Sequence, residues 1–208
     1  MNLHGVPILS DLDGTLIDSK ESVVAAFRWW AGLRGLTPEV LSTIPFGRTS
    51  TDAAAVMAPH LDPAVEGPLL DERQAEDTRG VVALEGAAEL LSTHERLAVV
   101  TSCPRRLALA RLKAARLPEP KHLVTPEDWV LGKPDPEPYL KGAALLVAPP
   151  SACVVLEDAP AGVQSGLRAG MRVVALLTTH SAEQLSGAHA YISSLVELPR
   201  ALQDIGGT

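Results

Sequence analysis

The chain has 208 residues, of which 46% are hydrophobic and only 3% aromatic. This composition is typical of a globular protein with a sizeable core built mainly from Ala, Val and Leu. The 18 basic and 25 acidic side chains give a net charge of -7, which argues against general binding to nucleic acid.

Targeting signals are not expected. The start, "MNLHGVPILSD", lacks the basic region and long apolar run of a signal peptide. No apolar run approaches the roughly 20 residues of a membrane helix. Cys103 and Cys153 are too few for a disulfide framework or a zinc site. We therefore expect a cytoplasmic protein with no membrane and no nucleic-acid partner.

Short apolar runs alternate with helix-like stretches along most of the chain. The stretch 105–116 is rich in strong helix formers, and 136–147 and 160–169 each begin with proline, which suits a first helical position. Near-continuous apolar strands fit a parallel sheet that is covered on both faces, so we predict a doubly wound α/β fold. The predicted strands are "VPIL" (6–9), "LAVVT" (97–101), "ACVVLED" (152–158) and "MRVVALL" (171–177).

Residues 18–80 break this alternation, because they show helical pattern without a convincing strand. We predict that they form a small α-helical domain inserted into a core made of 1–17 and 81–208. The insertion follows the first strand, at the edge of an open α/β sheet where ligands bind.

Polar side chains follow the predicted strands. Asp11 and Asp13 come after the first, Thr101-Ser102 ends the second, and Glu157-Asp158 ends the third. Lys133 lies in a loop before a helix. Each group alone would be an ordinary turn or a solvated loop residue. In a parallel sheet, however, these strand ends meet at one edge, so we expect the groups to share a cleft.

Such a cleft can bind a metal ion and a phosphate group. Four neighbouring carboxylates repel one another, and a single lysine cannot neutralise them, whereas Mg²⁺ together with the lysine can. One carboxylate can then attack phosphorus, and a second, two residues along, can protonate the leaving oxygen and afterwards activate water.

Four motifs in this order resemble those of the haloacid dehalogenase superfamily of phosphohydrolases: "DLDGT" (11–15), "VVTS" (99–102), "GKPDPEPY" (132–139) and "LEDAPAGVQSGLRAG" (156–170). The resemblance implies a Rossmann-like core with a helical cap inserted after the first motif. It implies that Asp11 is the nucleophile and a Mg²⁺ ligand. It also implies that Asp13 is the general acid/base, with its backbone carbonyl on the metal.

The resemblance assigns the remaining motif residues as well. It implies that Thr101, with the backbone at Ser102, binds the phosphoryl oxygens and that Lys133 neutralises nucleophile and phosphate. Asp158 is expected to bind Mg²⁺, directly or through water, with help from Glu157.

The cap stretch "FGRTSTDAAAVM" (46–57) is similar to stretches in the sugar- and polyol-phosphate phosphatase branch. This similarity places Phe46, Gly47, Arg48 and Asp52 near the substrate. Arg48 is expected to contact phosphate or hydroxyl groups, with Asp52 orienting it from one helical turn along; a plain surface pair is the alternative. Phe46 stands where the branch often has His, so a polar contact is lost or replaced by an apolar wall.

We therefore predict a Mg²⁺-dependent phosphatase of small sugar or polyol phosphates that acts through an aspartyl phosphate. Its partner is a small phosphorylated metabolite, and the protein is a monomer or weak homodimer. Cys103, where the family usually has Gly, is expected to make the enzyme sensitive to oxidation.

Two alternatives stay open. A β-phosphoglucomutase-type enzyme shares core and cap, but those mutases carry a His where this chain has Val23. An inactive binding or regulatory module predicts a damaged first motif, whereas Asp11 and Asp13 are both present.

Overall fold

The computed structural model describes residues 5–206. Residues 1–4 and 207–208, which the predicted core includes, lie outside the described residues. Within the described part the helices are α1 (Lys20–Leu33), α2 (Ser50–Met57), α3 (Pro63–Glu76), α4 (Ala87–Thr93), α5 (Arg105–Ala114), α6 (Glu137–Leu145), α7 (Pro160–Arg168) and α8 (Leu198–Ile205). The strands are β1 (Ile8–Ser10), β2 (Ile17–Asp18), β3 (Val82–Ala83), β4 (Leu97–Val100), β5 (Leu123–Val124), β6 (Val154–Glu157), β7 (Arg172–Leu176) and β8 (Ala190–Ile192).

Six strands form a sheet in the order β5-β4-β1-β6-β7-β8, and every pairing in it is parallel. β1 is central, because Ile8 pairs with Leu97 of β4 on one side and with Val154 of β6 on the other. The predicted doubly wound parallel sheet is thus confirmed. The edge strands β5 and β8, of two and three residues, are not among the predicted strands.

Helices cover both faces of this sheet. Successive side chains of a strand point to opposite faces. Ile8 accordingly packs in one apolar cluster with Leu112 of α5 and Leu198 of α8. Leu9 packs in the other with Tyr139 of α6 and Val163 of α7. Burial on both faces explains why these strands are continuously apolar.

The predicted helical insert is present as α1, α2 and α3. Phe27, Trp30, Met57 and Leu70 lie in its own apolar core. The stretch "TPEVLST", predicted as a short helix, contains a 3₁₀ turn at Pro38–Thr43. Cap boundaries at 18 and 80 stay a prediction.

The chain enters and leaves the insert through a two-stranded antiparallel sheet. β2 pairs with β3 through Ile17 with Ala83 and Asp18 with Val82. Strands of two residues carry too little pattern to be read from a sequence, and this pair was not predicted. Within residues 5–206, no helix is both long and apolar enough to cross a membrane.

Candidate active site

The carboxyl end of β1 delivers Asp11 to the edge of the sheet. The Asp11 N–H still donates to the Leu156 carbonyl at 2.9 Å, so Asp11 leaves the sheet with its backbone fixed. Thr101, after β4, and Asp158, after β6, are buried beside it. The strand ends therefore bring the predicted core residues together.

Lys133 binds two of the acids at once. Its Nζ donates to Asp11 Oδ1 at 2.6 Å, to Glu157 Oε1 at 2.7 Å and to the Val100 carbonyl at 2.9 Å. Burial disfavours the ammonium, but Asp11 and Glu157 outweigh it and raise the pKa of Lys133 above its ordinary value. Lys133 is therefore a permanent positive charge against Asp11.

Glu157 anchors this lysine. Its Oε1 also accepts the Tyr139 hydroxyl at 2.7 Å, and its Oε2 accepts the backbone N–H groups of Asp158 and Ala159 at 3.1 and 3.2 Å. With four donors on two buried oxygens, Glu157 is already satisfied. Tyr139 lies inside the third motif, yet its role was not predicted, because a phenol that hydrogen-bonds across the core leaves no spacing signal.

Asp158 is held by hydroxyl groups. Its Oδ1 accepts Thr15 Oγ1 at 3.0 Å, and its Oδ2 accepts the hydroxyl of Thr179. Gly14 has a φ of +80°, and a Cβ on it would overlap Asp158 Oδ2. The glycine of "DLDGT" is therefore required both for the turn and for the approach of Asp158.

The acidic cluster fits a divalent cation. One carboxylate oxygen each from Asp11, Glu157 and Asp158 lie within 4.8 Å of one another, and all three residues are buried. Burial, with the neighbouring acids, raises the pKa of Asp11 to about 7 and that of Asp158 well above its ordinary value. Crowded, dehydrated carboxylates of this kind are the hard oxygen ligands that divalent cations bind. Asp11 and Asp158 are the two whose oxygens are not already fully used.

Asp13 is held on both of its oxygens. Oδ1 accepts Ser19 Oγ at 2.6 Å, whereas Oδ2 accepts the Cys103 thiol at 2.9 Å and pairs with Arg111 Nη1 at 2.8 Å. Burial raises the pKa of Cys103, so the thiol stays neutral and donates. Arg111 is not among the predicted site residues, because "RRLALARLKAAR" shows only good helix formers.

The loop of the insert covers this edge of the sheet. Ser102 Oγ donates to the Gly47 carbonyl at 3.0 Å. Gly47 has a φ of +82°, and a Cβ on it would lie 2.5 Å from the Ala159 Cβ. A cavity between core and insert is lined by Asp11 and Asp13 on one side and by Phe46 and Arg48 on the other.

Asp52 lies elsewhere. Its Oδ2 accepts Thr49 Oγ1 at 2.7 Å, and its N–H donates to the same hydroxyl at 3.0 Å, which caps the start of α2. No hydrogen bond or ion pair joins it to Arg48 in the part of the chain described, and it does not line the cavity. The predicted pair of Arg48 and Asp52 is not formed, because the Asp52 carboxylate accepts the Thr49 hydroxyl at the start of α2 instead.

A parallel α/β sheet with a buried aspartate–lysine pair at its carboxyl edge, beneath a helical insert, defines a hydrolase of the haloacid dehalogenase type. The chain belongs to the haloacid dehalogenase-like hydrolase family, whose sequence profile matches residues 8–176. The predicted family is thus confirmed.

Relatives share nearly the whole chain. The sequence is 42% identical to hexitol phosphatase A of Escherichia coli (strain K12) over 205 residues, which cover 95% of each chain. It is 38% identical to validoxylamine A 7'-phosphate phosphatase of Streptomyces hygroscopicus subsp. limoneus, over 91% of this chain and 94% of that one. The fold matches a hydrolase from Pseudomonas syringae with a TM-score of 0.85 and 27% identity, over 96% of this chain and 98% of that one.

Proposed function

We propose that this protein is a Mg²⁺-dependent phosphatase that hydrolyses small sugar or polyol phosphates through an aspartyl-phosphate intermediate. The observation that carries the proposal is the buried Lys133 Nζ at 2.6 Å from Asp11 Oδ1, within the acidic cluster at the sheet edge. The names of the two relatives, a hexitol phosphatase and a validoxylamine A 7'-phosphate phosphatase, support a phosphate ester that carries hydroxyl groups.

The nucleophile is Asp11. Its carboxylate attacks phosphorus, the bond from phosphorus to the ester oxygen breaks, and an acyl phosphate forms on Asp11. Lys133 favours the ionised carboxylate against the effect of burial and offsets part of the phosphoryl charge. Asp11 and Asp158, with the Asp13 carbonyl, would hold Mg²⁺, which when bound offsets the remaining charge.

Asp13 moves the proton. In its acid form it donates its proton to the departing alkoxide oxygen; the resulting carboxylate then removes a proton from the water that attacks the phosphoenzyme, which restores the acid form. The Thr101 hydroxyl and the backbone N–H of Ser102 bind phosphoryl oxygens. The Ser102 hydroxyl does not, because it donates to the Gly47 carbonyl.

Substrate selection belongs to the insert. Arg48, Ser50 and Gln74 add polar groups to the cavity wall, while Phe46 and Phe27 add apolar surface. A wall of this mixed kind suits the alternating hydroxyl and C–H surface of a polyol chain.

The test is a panel of hexitol, glycerol and sugar phosphates with Mg²⁺, scored by kcat/KM. Asp11→Asn should lower kcat by at least about 10³-fold, because the amide does not attack phosphorus, while leaving the circular dichroism spectrum unchanged. Substantial turnover by this variant would refute the assignment of the nucleophile.

The mutase alternative has a direct test. Val23, which stands in place of the mutase His, lines the cavity and offers no proton-transferring group. Incubation with β-glucose 1-phosphate should release inorganic phosphate; accumulation of glucose 6-phosphate would favour the mutase instead.

A further inference from the structure

Arg111 is a buried cation that the proposed mechanism does not yet use. It lies on α5 with its side chain only 2% exposed, and its Nη1 is 2.8 Å from Asp13 Oδ2. The same nitrogen donates to Cys103 Sγ at 2.8 Å. A buried guanidinium is costly unless it is paired, so this position calls for an explanation.

We propose that Arg111 is a positioning residue for Asp13: it fixes the carboxyl group in the orientation from which its acid form protonates the leaving oxygen and its carboxylate form then takes a proton from water. This inference rests on the proposed function. Asp13 lies beyond the end of β1, and its backbone pairs only in an isolated bridge with Ile17. General acid catalysis requires the acid to meet the leaving oxygen at hydrogen-bond distance and angle.

The guanidinium suits this task because it is planar and rigid. Ser19 holds Oδ1 of Asp13 from the entry to the insert, while Arg111 holds Oδ2 from the core. A carboxylate fixed at both oxygens, by groups on two different elements, loses most of its rotational freedom.

The insert orients Arg111 in turn. Arg111 Nη2 donates to Gln74 Oε1 of α3 at 2.6 Å. The Gln74 amide is itself fixed, since its Nε2 donates to Ser50 Oγ at 3.1 Å and to the Leu70 carbonyl at 3.2 Å. Arg111 therefore links Asp13 to α3 of the insert.

The hydrogen bonds of Arg111 come from its two terminal nitrogens. Arg111 Nε is buried and has no hydrogen-bond partner within residues 5–206. An unsatisfied buried donor costs free energy. The guanidinium makes its hydrogen bonds through Nη1 and Nη2, to Asp13, Cys103 and Gln74.

A matched control lies on the same two helices. Arg106 of α5 pairs with Glu72 of α3 at 3.0 Å, but the two side chains are 70% and 57% exposed. This pair also bridges core and insert, yet it makes no contact with Asp13. Arg106→Met removes a bridge of the same kind without touching the acid.

The experiment compares two leaving groups, using glycerol 1-phosphate and p-nitrophenyl phosphate. kcat/KM covers the steps up to departure of the leaving group, and only the alkoxide needs a proton from Asp13. Arg111→Met should lower kcat/KM for glycerol 1-phosphate by about 10- to 100-fold and for the aryl ester by less than about threefold. Arg111→Lys should recover part of the loss, and Arg106→Met should change neither substrate by more than about threefold.

Equal losses on both esters, or no loss for Arg111→Met, would overturn the proposal. If Arg111→Met does not fold, Arg111→Lys must show a smaller loss confined to the alkyl ester, and absence of that split refutes the inference. A wild-type protein that cleaves neither ester would instead refute the proposed function.

Discussion

At the scale of single residues, Lys133, Asp11 and Glu157 form a buried set in which each charge depends on the other two. Lys133 is the only one with a positive charge, and it touches both acids below 2.8 Å. A single cation therefore faces two acids, in a place where a charge without a partner is costly.

Removal of that charge should cost stability as well as activity. We expect Lys133→Met to lower the free energy of unfolding, measured in urea with EDTA present, by about 3 kcal/mol, because two buried acids lose their partner. Lys141→Met is the control, since Lys141 is half exposed and lies 3.7 Å from Glu137. A loss no larger than that of the control would contradict the role given to Lys133.

The raised pKa of Asp11 gives a pH dependence with a definite sign. The carboxyl titrates near 3.8 when unperturbed and at about 7 in the folded, metal-free protein. Between these values the folded state binds more protons than the unfolded state, so stability falls as pH rises from about 4 to about 7. Asp158 acts in the same direction.

A divalent cation should reverse this loss, because it binds the ionised carboxylates. We expect MgCl₂ to raise the melting temperature more at pH 8 than at pH 5.5, relative to EDTA. Asp11→Asn should remove most of the difference. A Mg²⁺ effect of equal size at both pH values would contradict the assigned ligands.

At the scale of elements, α3 is fastened to α1 by one carboxylate. Glu66 Oε2 accepts Trp30 Nε1 at 2.7 Å and Arg34 Nε at 2.9 Å, and Oε1 lies 2.9 Å from Arg34 Nη2. Because the indole N–H of Trp30 is buried, water does not take the place of the carboxylate when Glu66 is removed. This contact explains how an acidic residue can lie inside the insert.

Glu66→Ala should therefore lower the free energy of unfolding by about 2–3 kcal/mol, as it leaves a buried donor unsatisfied and removes a two-point contact with Arg34. Glu72→Ala, which breaks an exposed pair on the same helix, should cost less than about 1 kcal/mol. Urea titrations of the two variants make the comparison, and similar losses would show that burial of Glu66 does not matter.

At the scale of the whole molecule, Gly47 is one of the points where the insert contacts the core. A Cβ there would press on Ala159, and the positive φ adds strain. Gly47→Ala should push the loop away from the sheet edge and lower kcat/KM by about tenfold, because misplacement of positioning groups is costly.

Gly35→Ala separates the two effects. Gly35 has a φ of +64° but no atom within 4 Å of a Cβ built on it, so this variant has the backbone strain alone. It should keep the kcat/KM of the wild type. If both variants lose activity equally, strain rather than docking is the cause.

The sheet and the buried acids could be predicted because each corresponds to a local pattern in the sequence. β1, β4, β6 and β7 are buried on both faces and read as apolar runs that end in polar residues. The strands β2 and β3, which connect the core to the insert, have two residues each and pair only with each other. They carry no such pattern in the sequence. The contacts of Arg111 with Asp13 and of Tyr139 with Glu157 could not be predicted either, because these side chains come from elements that meet only in the folded chain.

The pairing of β2 with β3 brings the two ends of the insert together. Because Ile17 lies beside Ala83, the chain departs from the core and returns to it at neighbouring points. The insert therefore begins and ends at neighbouring points of the core. A different insert can replace it without altering the path of the central sheet. Replacement of the insert thus leaves Asp11 in place at the end of β1.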